Sequence, residues 1–284
     1  MLYHRRIYER AEKMSKVEGV ILDWAGTTVD FGCFAPVHVF LQIFKDAGVE
    51  VTMEEARAPM GMLKKDHIRA MLQMARIKRL WEEKYGRGFD EKDVDDLYAS
   101  FEPLLLTSLK QYTQPLPEVL EMVKALREKG LKIGSTTGYT DSMMKLVTKG
   151  AKEKGYEPDY WITPDSTNSY GRPYPYMIFR NIEALGLTAP WKVVKVGDTA
   201  SDIKEGLQAG AWSVGVVVGS SQMGMSNEEF RNCSEEGKKQ AIQHTEQAFL
   251  ELGADFTIRT MKELPPLIER INTLLEQGKR PHAK

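Results

Sequence analysis

The chain has little cysteine, no long apolar run and no excess of charge of either sign. Its two cysteines, Cys33 and Cys233, stand far apart in 284 residues, which excludes a disulfide framework and a closely spaced metal motif. The longest apolar stretch, residues 214–218 with one glycine, is too short to cross a bilayer. With 39 Lys and Arg against 40 Asp and Glu, no basic field favours nucleic acid or an anionic membrane. We therefore expect neither a nucleic-acid nor a membrane partner.

The composition is that of an ordinary globular protein. Residues 1–16 form an N-terminal extension that is charged throughout and lacks the apolar core of a signal peptide, so we expect a cytoplasmic protein. The hydrophobic fraction of 42% and the charged fraction of 28% indicate neither disorder nor a fibrous repeat. The length suffices for one large domain that carries a smaller inserted one, so an enzyme is possible.

Six short apolar runs, each bounded by turn residues, alternate with segments of helical periodicity. They cover residues 17–22, 131–134, 160–162, 193–196, 212–218 and 256–258. This alternation predicts an α/β fold with a Rossmann-like parallel sheet and helices on both faces. Between the first two runs, apolar positions recur at helical spacing with almost no strand pattern, which indicates an inserted α-helical cap domain. We predict a catalytic core from residues 17–31 and 113–284 and a cap from residues 32–112.

Acidic residues follow two of the predicted strands directly. Asp23 opens the turn Asp-Trp-Ala-Gly-Thr-Thr, whose N–H and hydroxyl groups suit a phosphate or phosphonate group. Asp198 and Asp202 follow the fourth strand. Because the carboxyl ends of parallel strands share one edge, these carboxylates should meet there, and clustered oxygen ligands favour Mg²⁺. The alternatives are that Asp23 caps the next segment and that Asp202 caps a helix or holds Asp198 in place.

Two more segments complete a set that suits phosphoryl transfer. Residues 135–138, Ser-Thr-Thr-Gly, follow the second strand, and residues 171–173, Gly-Arg-Pro, precede a helix. The hydroxyl of Thr137 and the cation of Arg172 would hold the oxygens of the transferring group. Taken singly, Thr137 also suits a turn, and Arg172 also suits a solvated surface. The four segments together are more specific than any one of them.

In this order the four segments resemble the haloacid dehalogenase-like superfamily, over nearly the whole chain with the cap included. The resemblance implies that Asp23 is the nucleophile and that Mg²⁺ binds Asp23, the backbone carbonyl of Ala25 and Asp198, with Asp202 close by. It also implies that Arg172 replaces the lysine usual in the third motif. Most phosphatases and mutases of the superfamily carry an acid where this chain has Ala25, and a methyl group cannot protonate a leaving alkoxide.

Residues 59–67 of the predicted cap offer another way to activate a leaving group. A desolvated, neutral amine on Lys64 forms an imine with an aldehyde, and His67, three residues later, would move protons if the segment is helical. The alternatives are a solvated Lys64–Lys65 pair and a structural histidine. Together with the missing acid, the lysine indicates cleavage of a carbon–phosphorus bond beside an aldehyde. A protonated imine accepts the bonding electrons as an enamine while Asp23 attacks phosphorus.

Residues 23–28, 59–67, 134–140 and 171–175 resemble the phosphonatase family of this superfamily, including Ala25 itself. The resemblance implies hydrolysis of phosphonoacetaldehyde to acetaldehyde and phosphate, through a Schiff base on Lys64, rather than Lys65, and an aspartyl phosphate on Asp23. It implies a homodimer, and places near the substrate Met60, Gly61, His67, Tyr139 and Cys33. Two rival functions stay open: a phosphomonoesterase or phosphomutase acting on sugar phosphates, and a catalytically silent binding protein of the same fold.

Overall fold

A six-stranded sheet lies at the centre of the computed structural model, which describes residues 16–282. Its strands are β1 (Gly19–Leu22), β2 (Lys132–Thr136), β3 (Tyr160–Ile162), β4 (Val193–Gly197), β5 (Trp212–Val216) and β6 (Phe256–Ile258). All pair in parallel in the order β3-β2-β1-β4-β5-β6. The predicted α/β sheet is confirmed. Of the predicted extension 1–16, all but Lys16 lies outside the described residues.

Each predicted apolar run contains a strand, but one boundary prediction is wrong. Ser135 and Thr136 belong to β2 rather than following it, because β3 pairs alongside and extends the ladder, with Thr136 opposite Ile162. β1 lies between β2 and β4 and is fully buried. The strand that leads to Asp23 therefore runs directly beside the strand that leads to Asp198.

Five of the six α-helices between β1 and β2 lie within residues 32–112, where the sequence predicts the cap. They are α1 (Phe34–Asp46), α2 (Met53–Arg57), α3 (Lys64–Gln73), α4 (Ala75–Tyr85) and α5 (Glu91–Ser108). Capping boxes at Thr52 and Asp90 begin α2 and α5, and α5 packs against both α1 and α3. The segments that flank these helices meet where Val29 bridges Pro115. The exact borders at residues 32 and 112 stay a prediction.

The remaining helices surround the sheet and complete the core. They are α6 (Val119–Glu128), α7 (Asp141–Glu153), α8 (Tyr176–Leu185), α9 (Ala200–Ala209), α10 (Asn227–Asn232), α11 (Glu235–Glu251) and α12 (Leu264–Glu276). α6 and α12 bury apolar side chains in the main cluster, whereas α9 and α11 contribute Ile203 and Phe249 to a smaller one. Within residues 16–282 no helix is both long and apolar enough to span a membrane.

Candidate active site

One cavity at the carboxyl edge of the sheet brings together residues from the ends of β1, β2 and β4 and from the start of α3. It is lined by Asp23, Ala25, Cys33, Met60, Gly61, Lys64, Thr137, Gly138, Tyr139, Arg172, Asp198 and Thr199. Of the residues that the sequence predicts for the site, only His67 and Asp202 do not line this cavity. Asp202 contacts Arg172, and His67 lies close enough to Lys64 for the charge of the amine to lower the pKa of the imidazole.

The cap segment lies directly on the core loops and closes this cavity. A Cβ atom at Gly61 would stand 2.3 Å from Oγ1 of Thr199, and one at Gly138 would stand 2.4 Å from the carbonyl oxygen of Met62. The hydroxyl of Ser201 donates a hydrogen bond to the carbonyl of Met60 over 3.0 Å. Only glycine permits approaches this close, so Gly61 and Gly138 fit the cap loop to the site.

Asp23 is fixed by its backbone and faces a buried cation. Its N–H donates to the carbonyl of Val196 on β4, and its own carbonyl accepts from the hydroxyl of Thr28. Oδ1 of Asp23 lies 2.6 Å from Nη2 of Arg172, which donates to it. Burial raises the pKa of Asp23, although the charge of Arg172 opposes this shift. The carboxylate thus lines the cavity beside a cation that partly offsets the cost of burying its charge.

Three carboxylates converge behind the cavity and form a group that suits a divalent cation. One oxygen from each of Asp23, Asp198 and Asp202 lies within 4.8 Å of the others. Gly26, with φ at +87°, permits this arrangement, since a Cβ atom there would stand 2.0 Å from Oδ2 of Asp198. Burial, followed by the charges of Asp23 and Asp202, raises the pKa of Asp198 well above its ordinary value. A hard cation with oxygen ligands would relieve this repulsion, so the residues fit Mg²⁺.

Asp202 differs from the other two carboxylates because it lies within ion-pair distance of two buried cations. Oδ2 accepts from the hydroxyl of Thr199 over 2.5 Å, whereas Oδ1 lies 2.8 Å from Nζ of Lys195 and 3.0 Å from Nη1 of Arg172. Burial alone would raise the pKa of Asp202, but the two cations outweigh it and lower the pKa. The geometry favours a role in holding cations over direct coordination of a metal.

The sequence did not reveal a buried ionic network beneath the site. Lys195 on β4 and Glu205 on α9 are fully buried and join Arg172 through Oε2 of Glu205, which lies 3.0 Å from Nε of Arg172 and 3.3 Å from Nζ of Lys195. The hydroxyl of Thr136 lies between these groups. The only signal was a lysine inside the apolar run 193–196, a position where an unpaired charge would be costly.

Lys64 is the first residue of α3 and lies inside the protein, with 3% of its surface exposed. Burial lowers the pKa of its amine, although the charge of Asp23 opposes the shift. The positive end of the α3 dipole also disfavours an ammonium at this position. Nζ lies 5.0 Å from the ring centroid of Tyr139 and 6.0 Å from that of Phe40. Burial and the helix dipole favour the neutral amine, which is the nucleophilic form.

His67 lies one turn along α3 from Lys64, as the helical interpretation predicts. Its ring stacks on Phe40 with centroids 3.8 Å apart, and Nε2 lies 2.9 Å from the carbonyl oxygen of Ala56. Because a carbonyl only accepts, Nε2 carries the proton, and Nδ1 is left with a free lone pair. Nδ1 has no hydrogen-bond partner among residues 16–282. Burial and the charge of Lys64 lower the pKa of His67 well below its usual value, so the imidazole is neutral and Nδ1 is unprotonated.

The remaining predicted residues also line the cavity. Oγ1 of Thr137 accepts from the N–H of Tyr139, so this threonine makes a turn contact while its own O–H proton stays available. The buried hydroxyl of Tyr139 has no partner in the described part of the chain. Burial raises the pKa of Cys33 well above its usual value, and this residue is therefore a thiol rather than a nucleophilic thiolate. Unpartnered polar groups in a closed cavity are available to a bound ligand.

Comparison with known proteins agrees with this geometry. The family model described as haloacid dehalogenase-like hydrolase matches residues 17–210. A curated protein named phosphonoacetaldehyde hydrolase from Lysinibacillus sphaericus is 60% identical over 90% of this chain and 96% of its own length, and one of that name from Bacillus cytotoxicus is 50% identical over 90% and 97%.

A solved structure gives the same result. The protein described as phosphonoacetaldehyde hydrolase-like from Oleispira antarctica superposes with a TM-score of 0.90 at 38% identity, over 94% of this chain and 97% of that one. Putative β-phosphoglucomutase from Bacteroides vulgatus, at 15% identity and a TM-score of 0.65, shares the fold alone. The chain is therefore a hydrolase that belongs to the haloacid dehalogenase-like hydrolases and, within them, to the family of the phosphonoacetaldehyde hydrolases.

Proposed function

We propose that this protein hydrolyses phosphonoacetaldehyde to acetaldehyde and phosphate. The observation that carries the proposal is that one closed cavity is lined by two different nucleophiles, the carboxylate of Asp23 and the buried amine of Lys64. A phosphomonoesterase needs only the first. The names of the relatives from Lysinibacillus sphaericus and Bacillus cytotoxicus support the same substrate.

The reaction begins at the aldehyde end of the substrate. The neutral amine of Lys64 adds to the aldehyde carbon, and the resulting carbinolamine loses water to give a protonated imine. Nδ1 of His67, which has a free lone pair, takes up and returns the protons of these steps, directly or through water. Met60 and Gly61 position the aldehyde end, with Tyr139 and Cys33 near it. Burial of Lys64 supports this assignment because it favours the unprotonated amine.

Carbon–phosphorus cleavage follows at the other end of the cavity. An oxygen of Asp23 forms a bond to phosphorus while the bond to carbon breaks, and its electrons pass into the protonated imine, which becomes an enamine. No acid is needed two residues after the nucleophile, in agreement with Ala25 at that position. Water then hydrolyses the aspartyl phosphate. The enamine is protonated on carbon, and hydrolysis of the second imine releases acetaldehyde and regenerates Lys64.

The charges of the site support a requirement for Mg²⁺. Four buried carboxylates, Asp23, Asp198, Asp202 and Glu205, face the two buried cations Arg172 and Lys195, so two negative charges remain. Asp23, the backbone carbonyl of Ala25 and Asp198 would coordinate the ion. Asp202 would instead hold Arg172 and Lys195 in place behind the metal ligands. When bound, Mg²⁺ neutralises charge that builds up on the phosphonate oxygens. Arg172 and Thr137 hold the same oxygens.

Trapping with borohydride tests the proposal most directly. With phosphonoacetaldehyde present, reduction should leave a stable adduct on the peptide that contains Lys64, detected by mass spectrometry. Phosphate release should require Mg²⁺ and stop in EDTA. Phosphate release without an adduct at Lys64 would rule out the imine mechanism, and no release at saturating Mg²⁺ would favour the silent binding protein.

Two sequence-based predictions about the whole molecule, a homodimer and a cytoplasmic location, belong to the same proposal. Size-exclusion chromatography with light scattering should give a mass near twice 32.2 kDa for the homodimer.

A further inference from the structure

Lys195 is a buried cation behind the candidate active site, and no step of the proposed reaction uses it. It stands in the middle of β4 between Val194 and Val196, and its surface is wholly covered. Its Nζ lies 2.8 Å from Oδ1 of Asp202, 3.0 Å from Oγ1 of Thr136 and 3.3 Å from Oε2 of Glu205. A buried lysine is costly unless it is fully paired, and this one is paired with two acids that also bind Arg172.

The hydroxyl of Thr136 makes hydrogen bonds to three charged side chains of the network. It donates to Oε2 of Glu205 over 2.9 Å and accepts from Nη2 of Arg172 over 2.9 Å and from Nζ of Lys195 over 3.0 Å. A hydroxyl has one proton and two lone pairs, so all of its hydrogen-bonding capacity is used. Lys195 and Arg172 are therefore tied to the same three side chains and cannot move independently.

Arg172 contacts acids on two sides: Asp202 and Glu205 behind the cavity, and Asp23 at the cavity. Its Nε donates to Glu205 and its Nη1 contacts Asp202, whereas its Nη2 donates to Asp23 at the cavity. Without Lys195, Asp202 and Glu205 would have Arg172 as their only charged partner among residues 16–282. Coulomb attraction would then draw the guanidinium towards Asp202 and Glu205 and away from Asp23.

We propose that Lys195 is a positioning residue for phosphoryl transfer. It neutralises Asp202 and Glu205, which leaves the Nη2 end of Arg172 directed at Asp23 and at the phosphonate oxygens. Lys195 is not among the residues that line the cavity. The expected effect on kcat rests on the proposed function. The expected effect on Mg²⁺ affinity is electrostatic and is measured without substrate.

Lys195→Met removes the charge and keeps a similar shape. We expect kcat to fall by roughly 10- to 100-fold with little change in KM, as for other residues that orient a reacting group. The borohydride adduct at Lys64 should form at the wild-type yield, because the imine half of the site does not depend on Arg172. The matched control is Lys132→Met, an exposed lysine on β2, which should behave as wild type.

The double variant Lys195→Met with Glu205→Gln restores the charge balance. It should recover most of the lost kcat, since Arg172 then faces one rear carboxylate instead of two. If the double variant is no more active than Lys195→Met, or if Lys195→Met keeps wild-type kcat, the proposal is wrong. Should Lys195→Met fail to fold by circular dichroism, the charge-balanced double variant tests the network alone: it should keep kcat within about tenfold of wild type with the adduct retained, and a loss of about 100-fold or more overturns the proposal.

Calorimetric titration with Mg²⁺ separates this inference from the proposed function. Loss of one positive charge should leave Mg²⁺ affinity in Lys195→Met equal to or higher than in wild type, and the double variant should return to the wild-type value. An affinity at least about tenfold lower in Lys195→Met, not restored by Glu205→Gln, would assign Lys195 a structural role instead. If wild type does not turn over phosphonoacetaldehyde, the proposed function fails, whereas the order of the Mg²⁺ affinities still decides the role of Lys195.

Discussion

Nζ of Lys64 lies 5.0 Å from the ring centroid of Tyr139, whose buried hydroxyl has no hydrogen-bond partner among residues 16–282. The amine therefore faces an aromatic ring on the core from the first turn of a helix in the predicted cap. Asp23 lies in the same cavity but contacts Arg172. The two proposed nucleophiles have different surroundings, apolar for the amine and cationic for the carboxylate, so substitutions should affect them separately.

Lys64→Arg keeps a positive charge but removes the primary amine that forms an imine. We expect turnover of phosphonoacetaldehyde to fall by roughly 10⁴-fold or more, because carbon would have to leave as an unstabilised carbanion. Lys65→Arg is the matched control, since Lys65 pairs with Asp95 at the surface. Phosphate release and borohydride trapping measure both variants. Substantial turnover by Lys64→Arg would contradict the imine mechanism.

Asp23→Ala should abolish phosphate release and still permit the adduct at Lys64. The reason is that the carboxylate takes part only after the imine has formed. The control Asp96→Asn alters an exposed carboxylate on α5 that pairs with Lys92 and should leave turnover unchanged. Peptide mass spectrometry after borohydride reduction gives the answer, with circular dichroism as a check on folding. Loss of the adduct in a folded Asp23→Ala protein would show that the two steps are not separable.

The rate of adduct formation should depend on pH through the amine of Lys64. Burial lowers the pKa of this amine, so its reactive neutral form persists to lower pH than in free lysine, whose pKa is about 10.4. We expect the rate to rise with pH and to level off well below about pH 10. Single-turnover trapping at a series of pH values measures the profile. A rate that still rises steeply near that pH would mean that the amine has the pKa of an exposed lysine.

Removal of Mg²⁺ should make thermal stability fall as the pH rises towards neutrality. Burial and the nearby acids raise the pKa of Asp198 in the folded state. Such a carboxyl stabilises the folded protein fully below its unfolded pKa of about 3.9, and this stabilisation is lost as the pH rises through the folded-state pKa. Thermal melts in EDTA and in Mg²⁺ measure the effect. The ion should raise the melting temperature most at neutral pH, and much less in Asp198→Asn. If Mg²⁺ raised the melting temperature equally in wild type and in Asp198→Asn, the result would argue against this metal site.

Local patterns in the sequence predicted the sheet and most of the site. Asp23 and Asp198 follow strands whose apolar runs are visible in the sequence, and parallel pairing brings strand ends to one edge without further information. The helical spacing of Lys64 and His67 is local as well. The choice of Lys64 over Lys65 came from family resemblance, although burial distinguishes them clearly once the fold is known.

The ionic network was not predictable because its members are distant in sequence and each has an ordinary local interpretation. Glu205 is one of many helical glutamates, and Thr136 is a strand residue with high β propensity. Their joint role arises only when β2, β4 and the loop before α8 come together around Arg172. Lys195 was the one local anomaly, a charge inside an apolar run that needs a buried partner.

The close fit of Gly61 against Thr199 and of Gly138 against Met62 has a kinetic consequence. The cavity beside these contacts has a volume of about 20 Å³, too small for a substrate molecule, so each turnover includes at least one opening and one reclosing of the cap segment. The frequency of opening is then an upper limit on the number of molecules processed per second. Solvent friction on the moving segment, rather than the strength of the carbon–phosphorus bond, can thus govern the maximal rate.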